Sequence, residues 1–343
     1  MEFDKRKIQM TSEFRKDLVS GNWILISPSR ARRPDLTKIK KESECPFCDP
    51  QKSGNPPPIL WYPRPDTPIK KKKDLSSWFV QVIPNKFPMV SLAIQRKCPS
   101  VKSVGMGSIL KGVGFHEVII TRDHSKTIEK MSLEEAELLL RAYQVRYQAL
   151  SSEPCVNYIL VYHNQGEMAG ASIFHPHSQL AAIPVIDPSI AVSLTGSREF
   201  HKNCKKCLHC AILEEEIRQK KRIVFQNQHF VTLVPFAPRV SYETRIYPLF
   251  HSAHFEEISD EKRRSLAESL GDALRRIVGA LKNPDYNFFI HSAPLGEENN
   301  EFYHWHIEIL PRSYKWAGLE LGAGVELVVI PPEEAAKNLR KAV

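Results

Sequence analysis

The order of apolar and polar positions along the 343 residues falls into two runs with the same grammar. Residues 23–27, 78–83, 117–121 and 158–162 are short and rich in β-branched and aromatic side chains, and they predict strands. Ahead of the last of them, Ser132 and Glu135 make a capping-box pattern. Leu133, Leu138, Leu139, Tyr143 and Tyr147 then repeat as a helical stripe, which predicts a helix. Residues 172–183 return as a strand, where Pro176 points to an edge or a bulge. The segment 184–197 reads as a linker, after which the order recurs. A short helix is expected over 211–221, strands over 230–234 and 244–247, and a long helix over 260–282. Strands over 286–291 and 304–310 and a helix over 333–341 close the chain. Strands mixed with one long helix per half predict an α+β fold with antiparallel sheets. The length allows two domains, 1–190 and 191–343, each with its own core.

Composition narrows this only slightly. With 42% hydrophobic and 25% charged residues the chain is ordinarily globular rather than disordered. A net charge of +9 admits nucleic acid, anionic membranes or phosphorylated small molecules as partners. The densest basic run, Lys70 to Lys73, sits among prolines and reads as a solvated loop. No stretch approaches the roughly 20 apolar residues of a membrane span. The segment from Met1 to Lys7 lacks the apolar core of a signal peptide, so a cytoplasmic location is expected. Of seven cysteines, five have C-x-x-C spacing, which in a reducing compartment favours metal ligation over disulfides. Cys98 and Cys155 stand apart, with no role expected.

The candidate chemistry repeats as well. Cys45 and Cys48, then His116, then His175-Pro176-His177 occur in the first half. Cys207 and Cys210, then His251, then His304-Trp305-His306 follow in the second. Each set supplies a C-x-x-C pair, a solitary histidine and an H-x-H, enough for a tetrahedral Cys₂His₂ site. The reading is an internal repeat in which Cys45, Cys48, His116 and His175 bind one metal. Cys207, Cys210, His251 and His304 bind another. Zinc is the expected ion, with iron possible at the second site. Cys204 extends the second pair to a C-x-x-C-x-x-C ladder, so Cys204 with Cys207 is an alternative; His209 and His254 are further candidates. A zinc ribbon for nucleic acid would place its pairs roughly 15–20 residues apart, against 162 from Cys45 to Cys207.

Each H-x-H leaves one histidine over. Locked beside the metal-bound His175, His177 would be a neutral imidazole able to attack phosphorus. The plainer alternative is another ligand or a core histidine. Gln179, two residues on, can donate to a phosphate oxygen, and Ser172 with the glycine-containing approach 166–171 can add a hydroxyl and backbone N–H groups. His306 is followed by Ile307 and Glu308 and reads as an inactive copy.

His175-Pro176-His177-Ser178-Gln179 resembles the H-P-H-G-Q motif of the galactose-1-phosphate uridylyltransferase family, a branch of the histidine-triad superfamily. Nearly the whole chain shares the likeness. Its parts include Trp23 to Pro34, Cys45 to Cys48, Pro84 to Pro88 and Asp123 to Lys126, then Asn164 to Gly166 and Pro332 to Ala336. The resemblance implies two histidine-triad-like domains and a ping-pong transfer. His177 would take a uridylyl group from UDP-glucose and pass it to galactose 1-phosphate. It makes Arg30, Arg33, Asn85, Asn164 and Ser172 nucleotide or phosphate contacts. It also implies a homodimer acting on a nucleotide sugar and a sugar phosphate, without nucleic acid or membrane as partner. Ser178 in place of glycine, and the second Cys₂His₂ set, look more like plant-type ADP-glucose phosphorylases, which transfer adenylyl to inorganic phosphate by the same histidine chemistry.

Overall fold

The computed structural model describes residues 12–343 apart from 29, 31–41, 69–73, 92–97, 187 and 297–300. Arg33 and Lys70 to Lys73 therefore lie outside the described residues. The first half contributes β1 (Glu13–Lys16), β2 (Trp23–Ile26), β3 (Leu60–Pro63), β4 (Trp78–Pro84), β5 (Lys102–Val104), β6 (Gly107–Lys111) and β7 (Phe115–Thr121). Helix α1 (Leu133–Ser151) follows, then β8 (Tyr158–Gln165) and β9 (His177–Ile183). The second half opens with α2 (Pro188–Cys204) and α3 (Leu208–Gln219). Next come β10 (Ile223–Gln226), β11 (Phe230–Leu233), β12 (Thr244–Pro248) and α4 (Asp260–Leu281). It closes with β13 (Tyr286–His291), β14 (His306–Pro311), α5 (Gly318–Ala323) and α6 (Pro332–Lys341).

The expected mixture of helix and antiparallel sheet is observed. Ten strands form one sheet in the order β10-β11-β12-β14-β13-β8-β9-β7-β4-β3, all pairs antiparallel. The two halves join where β13 pairs with β8, so they share a sheet rather than each closing one. Strands β2, β1, β6 and β5 make a separate small sheet that the hydrophobic pattern does not announce beyond 23–27.

Helices α1 and α4 lie together over one face of the large sheet. Leu139, Leu140, Tyr143 and Tyr147 from α1 join Leu266, Leu270, Leu274 and Ile277 from α4 in a single apolar cluster. Of the stripe read from sequence in α1, Leu139, Tyr143 and Tyr147 lie in this cluster, and Leu133 and Leu138 pack half-buried against it. Helix α1 starts at the Ser132–Glu135 capping box, with both reciprocal bonds formed; a cap of this kind stabilises by about 1 kcal/mol. Among the described residues no helix is long and apolar enough to cross a membrane.

Two expectations need correction. Residues 188–204 are a helix, not linker: Ile190, Leu194 and Ser197 recur at helical spacing and are buried. Ile190 and Leu194 pack with Tyr158, Ala293 and Tyr303. The strand through the first H-x-H begins only at His177. Pro176 lies just before it, and β9 is central, paired with both β8 and β7. Proline, lacking an N–H, stands outside the ladder instead of at its edge. Cys98 and Cys155, for which no role was expected, form a disulfide.

Candidate active site and metal centres

Both metal centres are assembled at strand ends. In the first half the C-x-x-C turn brings Cys45 and Cys48 to His175, just before β9, and to His124, three residues beyond the end of β7. Cys48 Sγ lies 3.2 Å from His124 Nδ1 and 3.6 Å from His175 Nδ1, and Cys45 Sγ lies 3.5 Å from His175 Nδ1. Bonds of about 2.3 Å to sulfur and 2.0–2.1 Å to nitrogen at tetrahedral angles place S and N about 3.6 Å apart, so these four residues fit a zinc-sized ion. His175 Nε2 donates to the Thr121 carbonyl at 2.6 Å, which leaves the Nδ1 lone pair facing the cysteines. Burial lowers the His175 pKa to about 4, favouring the neutral ring that ligates metal.

The second half repeats the construction. Cys207 caps the N-terminus of α3, Cys210 lies in its first turn, and His251 lies three residues beyond the end of β12. Cys210 Sγ is 3.4 Å from both His251 Nδ1 and His304 Nδ1, and His304 Nε2 donates to the Pro248 carbonyl at 3.0 Å. The structure groups Cys207, Cys210, His251 and His304 and leaves the exposed Cys204 outside. His254 pairs with Glu256 instead.

His116 is not among the ligands of the first centre; His124 holds the place expected for it. The sequence contained the signal in its counting. His251 precedes His304 by 53 residues, and His124 precedes His175 by 51, whereas His116 precedes it by 59. His116 instead orients a catalytic candidate. Its Nδ1 accepts the Met89 N–H at 3.1 Å, so the proton sits on Nε2, which donates to Gln179 Oε1 at 2.9 Å. Tyr162 donates to the same oxygen at 3.1 Å. With its carbonyl oxygen engaged twice, the Gln179 amide has its NH₂ as the remaining donor.

His177 adopts the tautomer complementary to that of His175. Its Nδ1 lies 2.8 Å from the His175 carbonyl, an atom that only accepts, so Nδ1 carries the proton and Nε2 keeps the lone pair. His177 and Gln179 line one pocket with Ser172, Asn85 and Phe47. The Phe47 ring centre is 5.1 Å from that of His177, an apolar wall that sequence reading missed. Arg30 does not line the pocket but donates at 2.9 Å to the carbonyl of Phe87, which does. Asn164 follows the Tyr162–Gln179 and His163–Ser178 pairs along β8, on the sheet face that carries His177 and Gln179. It accepts from Asn287 at 2.8 Å and lines a separate apolar cavity with Trp23 and Tyr162. The loop leading to Ser172 is tied down at Gly166, whose φ is +87° and whose Cβ would collide with the Asp285 carboxylate; Asp285 accepts the Met168 N–H at 2.7 Å.

Beneath the pocket, on the opposite face of β9, Ser178 bonds to the Tyr143 hydroxyl and lies 2.9 Å from His163 Nδ1. His163 stacks on Phe288, 5.1 Å between ring centres. Burial lowers its pKa to about 3. A buried Arg146–Glu117 pair at 2.7 Å ties α1 to β7 nearby, and burial raises the Glu117 carboxyl.

Comparison with known proteins finds relatives that cover nearly the whole chain. The family model for the galactose-1-phosphate uridyl transferase N-terminal domain matches residues 1–188, and the one for its C-terminal domain matches residues 195–324. The chain is 32% identical over 339 residues to an ADP-glucose phosphorylase from Arabidopsis thaliana, covering 96% of this chain and 92% of that protein. It is 29% identical over 340 residues to a galactose-1-phosphate uridylyltransferase from Thermotoga maritima, covering 96% and 98%. A solved uridylyltransferase structure superposes with a TM-score of 0.78 at 29% identity, covering 96% and 98% of the two chains. The Arabidopsis thaliana ADP-glucose phosphorylase crystallised with ADP-glucose superposes at 0.74 and 31%, covering 97% and 100%.

Proposed function

We propose nucleotidyl transfer through His177, on the premise that the chain belongs to the galactose-1-phosphate uridylyltransferase family. The observation that carries the proposal is the pair of fixed tautomers at the first H-x-H. The Nδ1–H of His177 is committed to the His175 carbonyl, so the Nε2 lone pair is the nucleophile. Attack of Nε2 on the α-phosphorus of UDP-glucose forms the N–P bond and breaks the bond to the bridging oxygen. Glucose 1-phosphate leaves with that electron pair. A phosphate oxygen of galactose 1-phosphate then attacks the same phosphorus and returns the pair to Nε2. The NH₂ of Gln179 donates to a non-bridging oxygen, and as an amide it neither supplies nor removes a proton, which favours phosphate over water as acceptor. Ser172, Asn85 and Arg30, with Arg33 and Asn164, are the proposed nucleotide and phosphate contacts. A zinc ion held by Cys45, Cys48, His124 and His175 would supply rigidity, fixing the entry to β9. The set Cys207, Cys210, His251 and His304 would do the same for β14 with zinc or iron.

The same reading includes two duplicated histidine-triad-like modules, 1–190 and 191–343, supported by the mirrored strand orders β3-β4-β7-β9-β8 and β10-β11-β12-β14-β13. It also includes a cytoplasmic homodimer, supported by the family resemblance. A second reading, adenylyl transfer from ADP-glucose to inorganic phosphate, is favoured by the 32% identity to the plant ADP-glucose phosphorylase. Turnover assays with each donor–acceptor pair separate the two. UDP-galactose formed from UDP-glucose and galactose 1-phosphate supports the first reading. ADP formed from ADP-glucose and phosphate replaces it with the second, and turnover of neither pair rejects both.

A further inference from the structure

We infer that Asn287, on β13 of the second half, is a positioning residue for the first half's site: it turns the Asn164 amide so that its NH₂ serves the phosphate beside His177. The inference rests on nucleotidyl transfer at His177. It adds to that reading a second neutral donor and the residue that orients it.

The strand register puts the three residues in one row. Asn287 pairs with Asn164 across β13 and β8. Between β8 and β9, Tyr162 pairs with Gln179 and His163 with Ser178, so the next step, Asn164, falls opposite His177. Residues directly opposite on neighbouring strands share a sheet face, so the row Asn287, Asn164, His177 crosses the face that carries Gln179.

Amide orientation follows from a backbone atom outward. Asn287 Nδ2 lies 2.8 Å from the Ala169 carbonyl oxygen, an atom that only accepts, so the group turned that way is the NH₂. Its second N–H donates at 2.8 Å to Asn164, so the Asn164 atom facing it is Oδ1. Both amide protons of Asn287 are thereby used, and the Asn164 NH₂ is turned away from Asn287. Asn287 is buried, so the reversed amide, a carbonyl oxygen set against two carbonyl oxygens, would be costly.

Gln179 is set in the same way by first-half residues. There the chain starts at the Met89 N–H and runs through His116 to Oε1, again leaving the NH₂. His177 is thus flanked by two amides of fixed polarity. A phosphoryl group under attack by Nε2 has two non-bridging oxygens, and the pair offers one NH₂ to each. Ala169 belongs to the loop that leads to Ser172, so the same Asn287 ties that loop to the row.

A double-mutant cycle on the full-length protein tests the relay, with Asn287→Asp made alone and in an Asn164→Ala background. Aspartate keeps the shape but as a carboxylate has no N–H, so Asn164 reverses and offers Oδ1 to the phosphate. Alone, Asn287→Asp should slow formation of the His177 adduct at saturating UDP-glucose or ADP-glucose by about 10²-fold in rapid-quench experiments. It should weaken UDP or ADP binding by about tenfold in calorimetry. With Asn164→Ala present, the same substitution should change either quantity by no more than about twofold. Asn287→Ala, which buries no charge, should repeat the pattern with smaller losses, and unchanged metal content reports an intact fold. Equal losses in the two backgrounds would overturn the relay, as would full activity and binding in both Asn287 variants. Absence of any adduct on the wild-type protein would reject transfer at His177, and the binding cycle would still decide on the relay.

Discussion

The two H-x-H segments show how one scaffold separates rigidity from chemistry. In each, the first histidine turns Nδ1 toward a cysteine pair and gives Nε2–H to the last carbonyl of a neighbouring strand, Thr121 or Pro248. In each, the second histidine gives Nδ1–H to the carbonyl of the first, which leaves the lone pair on Nε2. Two residues on, the halves part. Gln179 is neutral, held by the neutral His116 and by Tyr162, and it lines an open pocket walled by Phe47. Glu308 is a carboxylate between Arg239 and Arg245, and His209 stands where Phe47 does. An amide can face a phosphate; a carboxylate repels it and suits a cation. On the proposed function, this difference sets which histidine can act as a phosphate nucleophile.

The comparison can be broken most decisively at His177. His177→Ala should lower transfer by at least about 10⁴-fold, as loss of a nucleophile does, while metal content by elemental analysis stays unchanged. Retained turnover would mean the two halves do not differ as argued. Gln179→Glu gives the first half the charge of the second. It should cost about 10²–10³-fold in the rate of donor cleavage, the loss expected when a donor to the transition state is replaced by an anion; rapid-quench kinetics would read it.

His124→Ala and His116→Ala sharpen the comparison by separating staple from positioner. The first should remove one metal equivalent and lower the thermal midpoint. The second should keep both equivalents and slow turnover by about tenfold through a misoriented Gln179. If His116→Ala loses the metal instead, the ligand set is wrong.

An effect on stability rather than turnover concerns His163, whose place is taken by apolar Ile290 in the other half, paired with Ile307 as His163 is with Ser178. Folded His163 titrates near pH 3, the unfolded residue near 6.5. Its neutral form therefore contributes fully above pH 6.5, and the contribution is lost as pH falls toward 3. The slope is about 1.4 kcal/mol per pH unit. Denaturant melts of His163→Gln should fall less between pH 6.5 and pH 5 than those of the wild-type chain, by about 2 kcal/mol. Parallel pH profiles would show that this histidine is not the source.

Much of this was legible in the chain because metal ligation and helical amphipathicity leave local marks. The C-x-x-C pairs, the H-x-H motifs and the stripe of α1 are such marks, and all of them reappear in the fold. His116 misled because an isolated histidine on an apolar strand looks the same whether it ligates a metal or orients an amide. Only the strand register that puts it beside Gln179 tells them apart. Helix α2 was hidden because its buried face is just Ile190, Leu194 and Ser197. The Arg239–Glu308–Arg245 cage and the Cys98–Cys155 disulfide join residues far apart in sequence, which no local pattern announces.

The central claim is that one histidine of the four carries the nucleotide. Intact-mass spectrometry after incubation with UDP-glucose or ADP-glucose, without acceptor and followed by peptide mapping under non-acidic conditions, tests it directly. A single uridylyl or adenylyl adduct on His177, with His306 unmodified, is the predicted result. An adduct on His306, or none with either donor, would contradict it.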